Sequence, residues 1–276
     1  MTARAVAGLA AAFAGLLVSE PSRAYELERT EPLALARNLG LGAGLTLVTL
    51  AVPAPRTCSW CEPPGLDRAL HAPWPADARR DAAMVSHLLS YVVIPSGALA
   101  AGALPPAFSG NARHIYENAA ILLECLLFET ALSQGVKKVV ARKRPAFYYG
   151  RGSATEYGGS PEQENVSFFS GDTAAAFALA SGAATLSFLR GYASAPYVTG
   201  AGALFALGTG VLRVAADVHW PSDVLVGAVI GTGIGIAVPL LLHPRVEPGA
   251  DRAVGTSSLE PWVSNDGFGL AFAGAF

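Results

Sequence analysis

The sequence predicts an all-α, polytopic membrane bundle of about six helices, and three observations carry that prediction. Of its 276 residues, 52% are hydrophobic and 14% are charged, where a soluble domain carries about a quarter charged residues. Mean hydropathy is accordingly positive, at +0.39. Apolar stretches then recur along the chain, at residues 38–52, 82–112, 115–136, 173–189, 191–212 and 224–242. These stretches are rich in Gly and Ala, which let helices approach closely in lipid. Some are also short enough to be core helices of a soluble all-α bundle, the competing architecture.

Net charge is -2, which excludes a strongly basic nucleic-acid binder. The basic residues still cluster, with Lys137, Lys138, Arg142, Lys143, Arg144 and Arg151 close together in sequence. On charge alone that run reads equally as a solvated face or a membrane flank.

Taken in order, residues 1–24 have the form of a secretory signal. Arg4 supplies the positive start, Val6 to Val18 the short apolar core, and Ser22-Arg23-Ala24 a small-x-small cleavage site. An uncleaved first apolar segment is the alternative. Residues 53–81 form a polar connection with room for one amphipathic interfacial helix. Within it, Cys58-x2-Cys61 stands alone, whereas a structural zinc site needs four ligands. A local disulfide follows if the chain is exported. Cys125 reads as a small buried apolar residue. Glu117, Glu124 and Glu129 interrupt the third run, and hydrogen bonding between helices in the bundle interior explains them better than a proton path.

Residues 146–166 form a polar loop, and 25–244 make one helical domain. The tail, 245–276, is polar and irregular, although its alternation from Gly267 to Phe276 suits a β-strand.

Three clusters carry the chemistry. In the first, Lys137 and Arg144 lie seven residues apart, which places both on one face of a helix that Pro145 ends near Arg144. Arg offers phosphate a planar fork of donors, and Lys a point charge. In the second, Ser170-Gly171 opens an uncharged run, so a hydroxyl and free amides meet at the positive end of a helix. An ordinary N-cap is the bland reading of Ser170. In the third, Arg213, His219 and Asp223 stand between two uncharged runs, with Pro221 suited to a first helical turn. Asp223 then lies one turn from His219, where it can fix the tautomer of a nucleophilic imidazole.

The order Lys137-x6-Arg144-Pro145, Ser170-Gly171, Arg213-x5-His219-x3-Asp223 resembles the signature of the type 2 phosphatidic acid phosphatase superfamily over about residues 113–243. That group includes soluble acid phosphatases and vanadium-dependent haloperoxidases. The resemblance implies a six-helix bundle that hydrolyses phosphomonoesters or diphosphates without a metal or other cofactor. It implies phosphate binding by Lys137, Arg144, Ser170, the Gly171 amide and Arg213. It further implies that His219 becomes a phosphohistidine and that Asp223 orients it.

The second cluster departs from the family pattern, because Asp172 stands where a general-acid His is expected. An ordinary Asp ionises near a pKa of ~3.9 and has no proton to give at neutral pH. Burial beside an anion would raise that value and make Asp172 a weak acid catalyst. The expected activity is therefore weakened or shifted to acid, on a lipid phosphate or polyprenyl diphosphate among membrane lipids. A non-catalytic phosphate- or lipid-binding relative and a vanadate-dependent haloperoxidase are the alternatives. The setting expected is a bacterial inner membrane, with the site facing the periplasm.

Overall fold

The computed structural model describes residues 26–27, 32–71, 74–154, 160–243, 245–246, 258–264 and 267–273. The expected signal, residues 1–24, lies outside them. Among the described residues, six helices are long and apolar enough to cross a membrane: α1 (Pro32–Ala51), α3 (Ala76–Phe108), α4 (Ala112–Val140), α7 (Gly171–Leu189), α8 (Ala195–Ala215) and α9 (Pro221–Leu241). Shorter helices occupy the connections: α2 (Gly65–Leu70), α5 (Pro145–Tyr148) and α6 (Pro161–Glu164). The sequence set the polar connection at 53–81, but its last residues already belong to α3. Pro75 precedes that helix and Asp77 sits in its first turn, both favourable at a helix start.

Helix ends follow local chemistry. α7 stops at Arg190 before Gly191, whose φ of 66° is left-handed. Pro196 and Pro221 fall in the first turns of α8 and α9, where the missing N–H costs nothing. α3 is not uniform, because its turns widen to π-helix over Leu89–Val93. Such wide turns often accompany functional sites.

α7 is the central helix, buried nearly all round, which suits its run of Ala residues. Against it α9 sets Gly227, Gly231 and Gly235. A Cβ at Gly227 would lie 2.7 Å from the Ser170 carbonyl oxygen, and at Gly231 and Gly235 it would overlap the carbonyls of Ala174 and Ala178. The two backbones therefore touch, and a larger side chain at Gly231 would cost about 1–3 kcal/mol or more by overpacking. The same contact fixes Ser170 against the first turns of α9. Ile121, Leu122 and Cys125 of α4 complete the core with Leu179, Ala183 and Leu186 of α7. α1 lies at the edge and holds α4 through Thr46, whose hydroxyl donates to the Leu127 carbonyl at 3.0 Å.

The described residues of the connections 52–71, 74–75, 141–154, 160–170 and 216–220 lie at one end of this bundle, joined by the side-chain contacts described below. Cys58 and Cys61 form a disulfide in the first of them. A separate compact unit, Val246–Phe276, holds an antiparallel hairpin of β1 (Ser258–Ser264) and β2 (Gly267–Ala273). Over its described residues 258–264 and 267–273 the tail is thus not irregular. The expected strand has a partner, which the sequence obscured because Glu260 and Pro261 break its pattern.

Candidate active site

Lys137 lies on α4, but Arg144 does not, and the shared helix face expected of them is corrected here. α4 ends at Val140 because Ala141 takes a left-handed conformation (φ 47°, ψ 50°), with its N–H bonded to the Lys137 carbonyl at 3.1 Å. Residues 142–144 then run extended, and Arg144 becomes the residue before α5. The two cations still meet, by a turn of the chain rather than by helical periodicity. Lys137 Nζ sits against Gly171, close enough that a Cβ there would be 2.9 Å away. Gly171 leaves room for the ammonium at the first turn of α7.

Ser170 occupies the N-cap position of α7, yet its side chain makes no capping bond. Its hydroxyl pairs instead with that of Thr173 at 2.8 Å, and its N–H donates to the Asp223 carbonyl at 3.1 Å. The plain N-cap reading therefore fails on geometry. Asp172 turns toward α8 and α3. One carboxylate oxygen lies 3.2 Å from Arg213 Nε, and the other accepts from the Tyr91 hydroxyl at 2.7 Å.

Arg213 ends α8 and is buried, with Nη1 3.0 Å from His87 Nε2 and 3.4 Å from the Ser86 hydroxyl. After the left-handed Asp217 (φ 66°), the chain reaches His219 just before α9. Arg144 Nη1 lies 3.2 Å from His219 Nε2. A guanidinium has no lone pair to give, so Nε2 is the acceptor and the neutral ring carries its proton on Nδ1. That nitrogen faces Asp223 at 3.6 Å, beyond hydrogen-bond length. Asp223 is instead held by the Ser167 hydroxyl at 2.6 Å, the Trp220 N–H at 2.9 Å and Arg142 at 2.5 Å. It faces the imidazole as a fixed anion rather than as a direct hydrogen-bond partner.

Burial, and then the charges of Arg144, Arg213 and Lys137, hold the His219 imidazole well below its ordinary value. At neutral pH the ring is unprotonated, with the Nε2 lone pair directed at the guanidinium of Arg144. Asp217 braces the same corner. Burial would raise its carboxyl, but the partners His71 (3.0 Å) and Arg151 (2.8 Å) hold it below the usual carboxylate range.

Several residues of this site escaped sequence reading. Arg142 is fully buried, bonded through Nη2 to Asp67 at 2.5 Å and stacked with its guanidinium carbon 3.9 Å from the Trp60 ring. Asp67 accepts from the N–H of Ser222 at 2.9 Å and from its hydroxyl at 2.7 Å. Arg142 thus ties α2 to the start of α9 and positions Asp223. Neither residue had a local signal, since Arg142 was one cation in a basic run and Asp67 lies on the far side of α3. Tyr91 and His87 come from α3, where His87 was notable only as the one histidine in residues 82–112, an otherwise uncharged stretch.

The family model described as PAP2 superfamily matches residues 118–247. No curated protein sequence matches the chain. Among solved structures, that of Aquifex aeolicus LpxE is similar at 25% identity, covering 77% of this chain and 98% of that one with a TM-score of 0.38. The matched segment contains all three clusters, the helices α7, α8 and α9, and α4 from residue 118 on. The likeness to the PAP2 superfamily thus covers a little under half of the chain, within a bundle whose six long helices are apolar enough to cross a membrane.

Proposed function

We propose that the chain is a membrane phosphatase that hydrolyses a lipid phosphate or polyprenyl diphosphate through a phosphohistidine at His219. The observation that carries this reading is the placing of His219 Nε2, unprotonated and 3.2 Å from the Arg144 guanidinium. A phosphate held by that guanidinium brings its phosphorus to the ring nitrogen. Lys137, Arg213, the Ser170 hydroxyl and the Gly171 amide neutralise the charge that gathers on its oxygens in the transition state. Asp223 stabilises the imidazolium that forms as the nitrogen gives up its lone pair.

A lipid substrate is favoured by the surroundings of these residues. An apolar groove of about 410 Å³ runs between α8 and α9, lined by Trp74, Val211, Val214, Pro221 and Leu225 among others. Val214 directly follows Arg213 and Pro221 lies two residues past His219, so an acyl or prenyl chain in the groove leaves its phosphate beside the cations.

One observation favours a second reading, a phosphate- or lipid-binding relative without turnover. Asp172 already occupies Arg213, so a carboxylate stands where an ester oxygen would be bound. Phosphate release by the wild-type chain, Asp172→His and His219→Ala, followed from about pH 4 to about pH 8, separates the two. Release that disappears in His219→Ala is expected. If neither the wild type nor Asp172→His releases phosphate, and His219→Ala changes nothing, catalysis is ruled out.

An inner-membrane setting with the site toward the periplasm is supported by the Cys58–Cys61 disulfide, which lies in a connection at the site end and would persist only in an oxidising compartment. Ser153 is exposed in the loop at that end. With Cys125 buried and the other two bonded, Ser153→Cys gives one accessible thiol. Labelling of intact cells by a membrane-impermeant maleimide is expected, and protection from it would reverse the orientation.

A further inference from the structure

We infer that His87, on α3, delivers the proton to the leaving oxygen, a role that Asp172 does not fill. This rests on the phosphatase reading above. An alkoxide leaves phosphorus slowly unless a proton reaches it as the bond breaks. Asp172 is engaged on both oxygens, one in an ion pair with Arg213 Nε at 3.2 Å and the other accepting from the Tyr91 hydroxyl at 2.7 Å. It is thus an anion with no proton to give, and its service is to hold Arg213 and Tyr91.

The guanidinium that Asp172 holds also touches His87, whose Nε2 lies 3.0 Å from Arg213 Nη1. Imidazole is the side chain that exchanges a proton near neutral pH. Arg213 and Asp172 face His87 from α8 and α7, and Tyr91 crosses it from the next turn of α3 with ring centroids 5.5 Å apart. The position of His87 is held from below. The Ser86 hydroxyl donates to the Ala83 carbonyl at 2.8 Å and the Ser90 hydroxyl to the Ser86 carbonyl at 2.8 Å, just before and within the wide turns. His87 itself is half-buried, in contact with both the guanidinium and the outside.

Without ligand, His87 Nε2 accepts from Arg213. A bound phosphate takes over the donors of Arg213 and adds negative charge, so Nε2 gains a proton and turns donor toward the ester. His219 Nε2 then gives its lone pair to phosphorus. The bond to the leaving oxygen breaks with its electrons on that oxygen, and the proton passes from His87 Nε2 to it. A neutral alcohol departs and His87 is left neutral. In the second half, His87 Nε2 takes a proton from water as the water oxygen bonds phosphorus. The phosphorus–nitrogen electrons return to His219, and phosphate is released.

The test compares two substrates in detergent: dioctanoyl phosphatidic acid, which must expel an alkoxide, and p-nitrophenyl phosphate, whose phenolate leaves unprotonated. His87→Gln and His87→Asn are expected to lower kcat on phosphatidic acid by about 10²–10⁴-fold and on p-nitrophenyl phosphate by less than about tenfold. A merely structural role would depress both alike, and the retained aryl turnover itself reports a folded protein. Equal losses on the two substrates in both variants, or full phosphatidic acid turnover in either, overturn the inference. A wild-type chain inactive on both substrates instead removes the phosphatase reading, and this inference falls with it.

Discussion

The two ends of α4 carry polar clusters of opposite charge balance, about 30 Å apart along the helix. At the end distant from the site, Glu117 meets Arg113 at 2.7 Å and Arg190 at 2.9 Å, and Glu124 meets His243 at 2.8 Å. Asn118 accepts from Arg190 at 3.2 Å and donates to the Gly102 carbonyl at 2.8 Å, so α3, α4 and the end of α7 are stapled together. Every carboxylate there has a basic partner on the same helix or a neighbouring element. At the other end, Lys137, Arg144 and Arg213 crowd one imidazole, with Asp172 and Glu129 offsetting them in part. Arg144 spends its donors on the carbonyls of Gln163 and Val218, both at 2.8 Å. Like charges gathered away from water repel strongly, and an anion held among them would relieve that repulsion. Buried charge in a membrane bundle is therefore not diagnostic by its presence; its local imbalance is.

The sharpest way to break this contrast is at the balanced end. Glu117→Gln leaves the buried Arg190 without its anion, and loss of about 3–5 kcal/mol of stability is expected, read as a lower Tm in detergent with kcat unchanged. Arg144→Ala should do the reverse. It relieves repulsion at the crowded end while kcat falls by about 10²–10³-fold, and a collapse of Tm instead would make Arg144 a structural cation like Arg190.

A smaller effect sharpens the comparison through pH. The folded-state pKa of His219 is depressed, so below its ordinary value of 6.5 the unfolded chain takes up the proton first. Its contribution to stability is full above that value and is lost as pH falls below it. The Tm of the wild type should decline with acidification more steeply than that of His219→Gln. Smallest is Ala141→Gly, which relieves the left-handed strain at the end of α4 and should add about 1 kcal/mol, measured as a rise in Tm.

The helices were legible because each contains a long apolar run, and the Pro-first start of α9 was legible with them. The end of α4 was not. A left-handed residue after a helix is usually Gly, and here it is Ala141, so Pro145 drew the expected boundary four residues too far. The three clusters could be read because each is short and local. Arg142, Asp67, Tyr91 and His87 could not be assigned, because their meaning comes from partners on other elements: Asp67 and Arg142 are separated by 75 residues, and Tyr91 and Asp172 by 81. Asp172 was misjudged in part. Read alone it was a charge facing phosphate, whereas in the fold it turns to Arg213 and Tyr91.

That turn has a consequence for how ligands enter and leave. Because Arg213 holds a built-in counterion, a phosphate bound there under the proposed function would compete with the carboxylate for the guanidinium. Its affinity would then be the difference between two ion pairs, and the resident anion would stand ready to displace inorganic phosphate after each turnover.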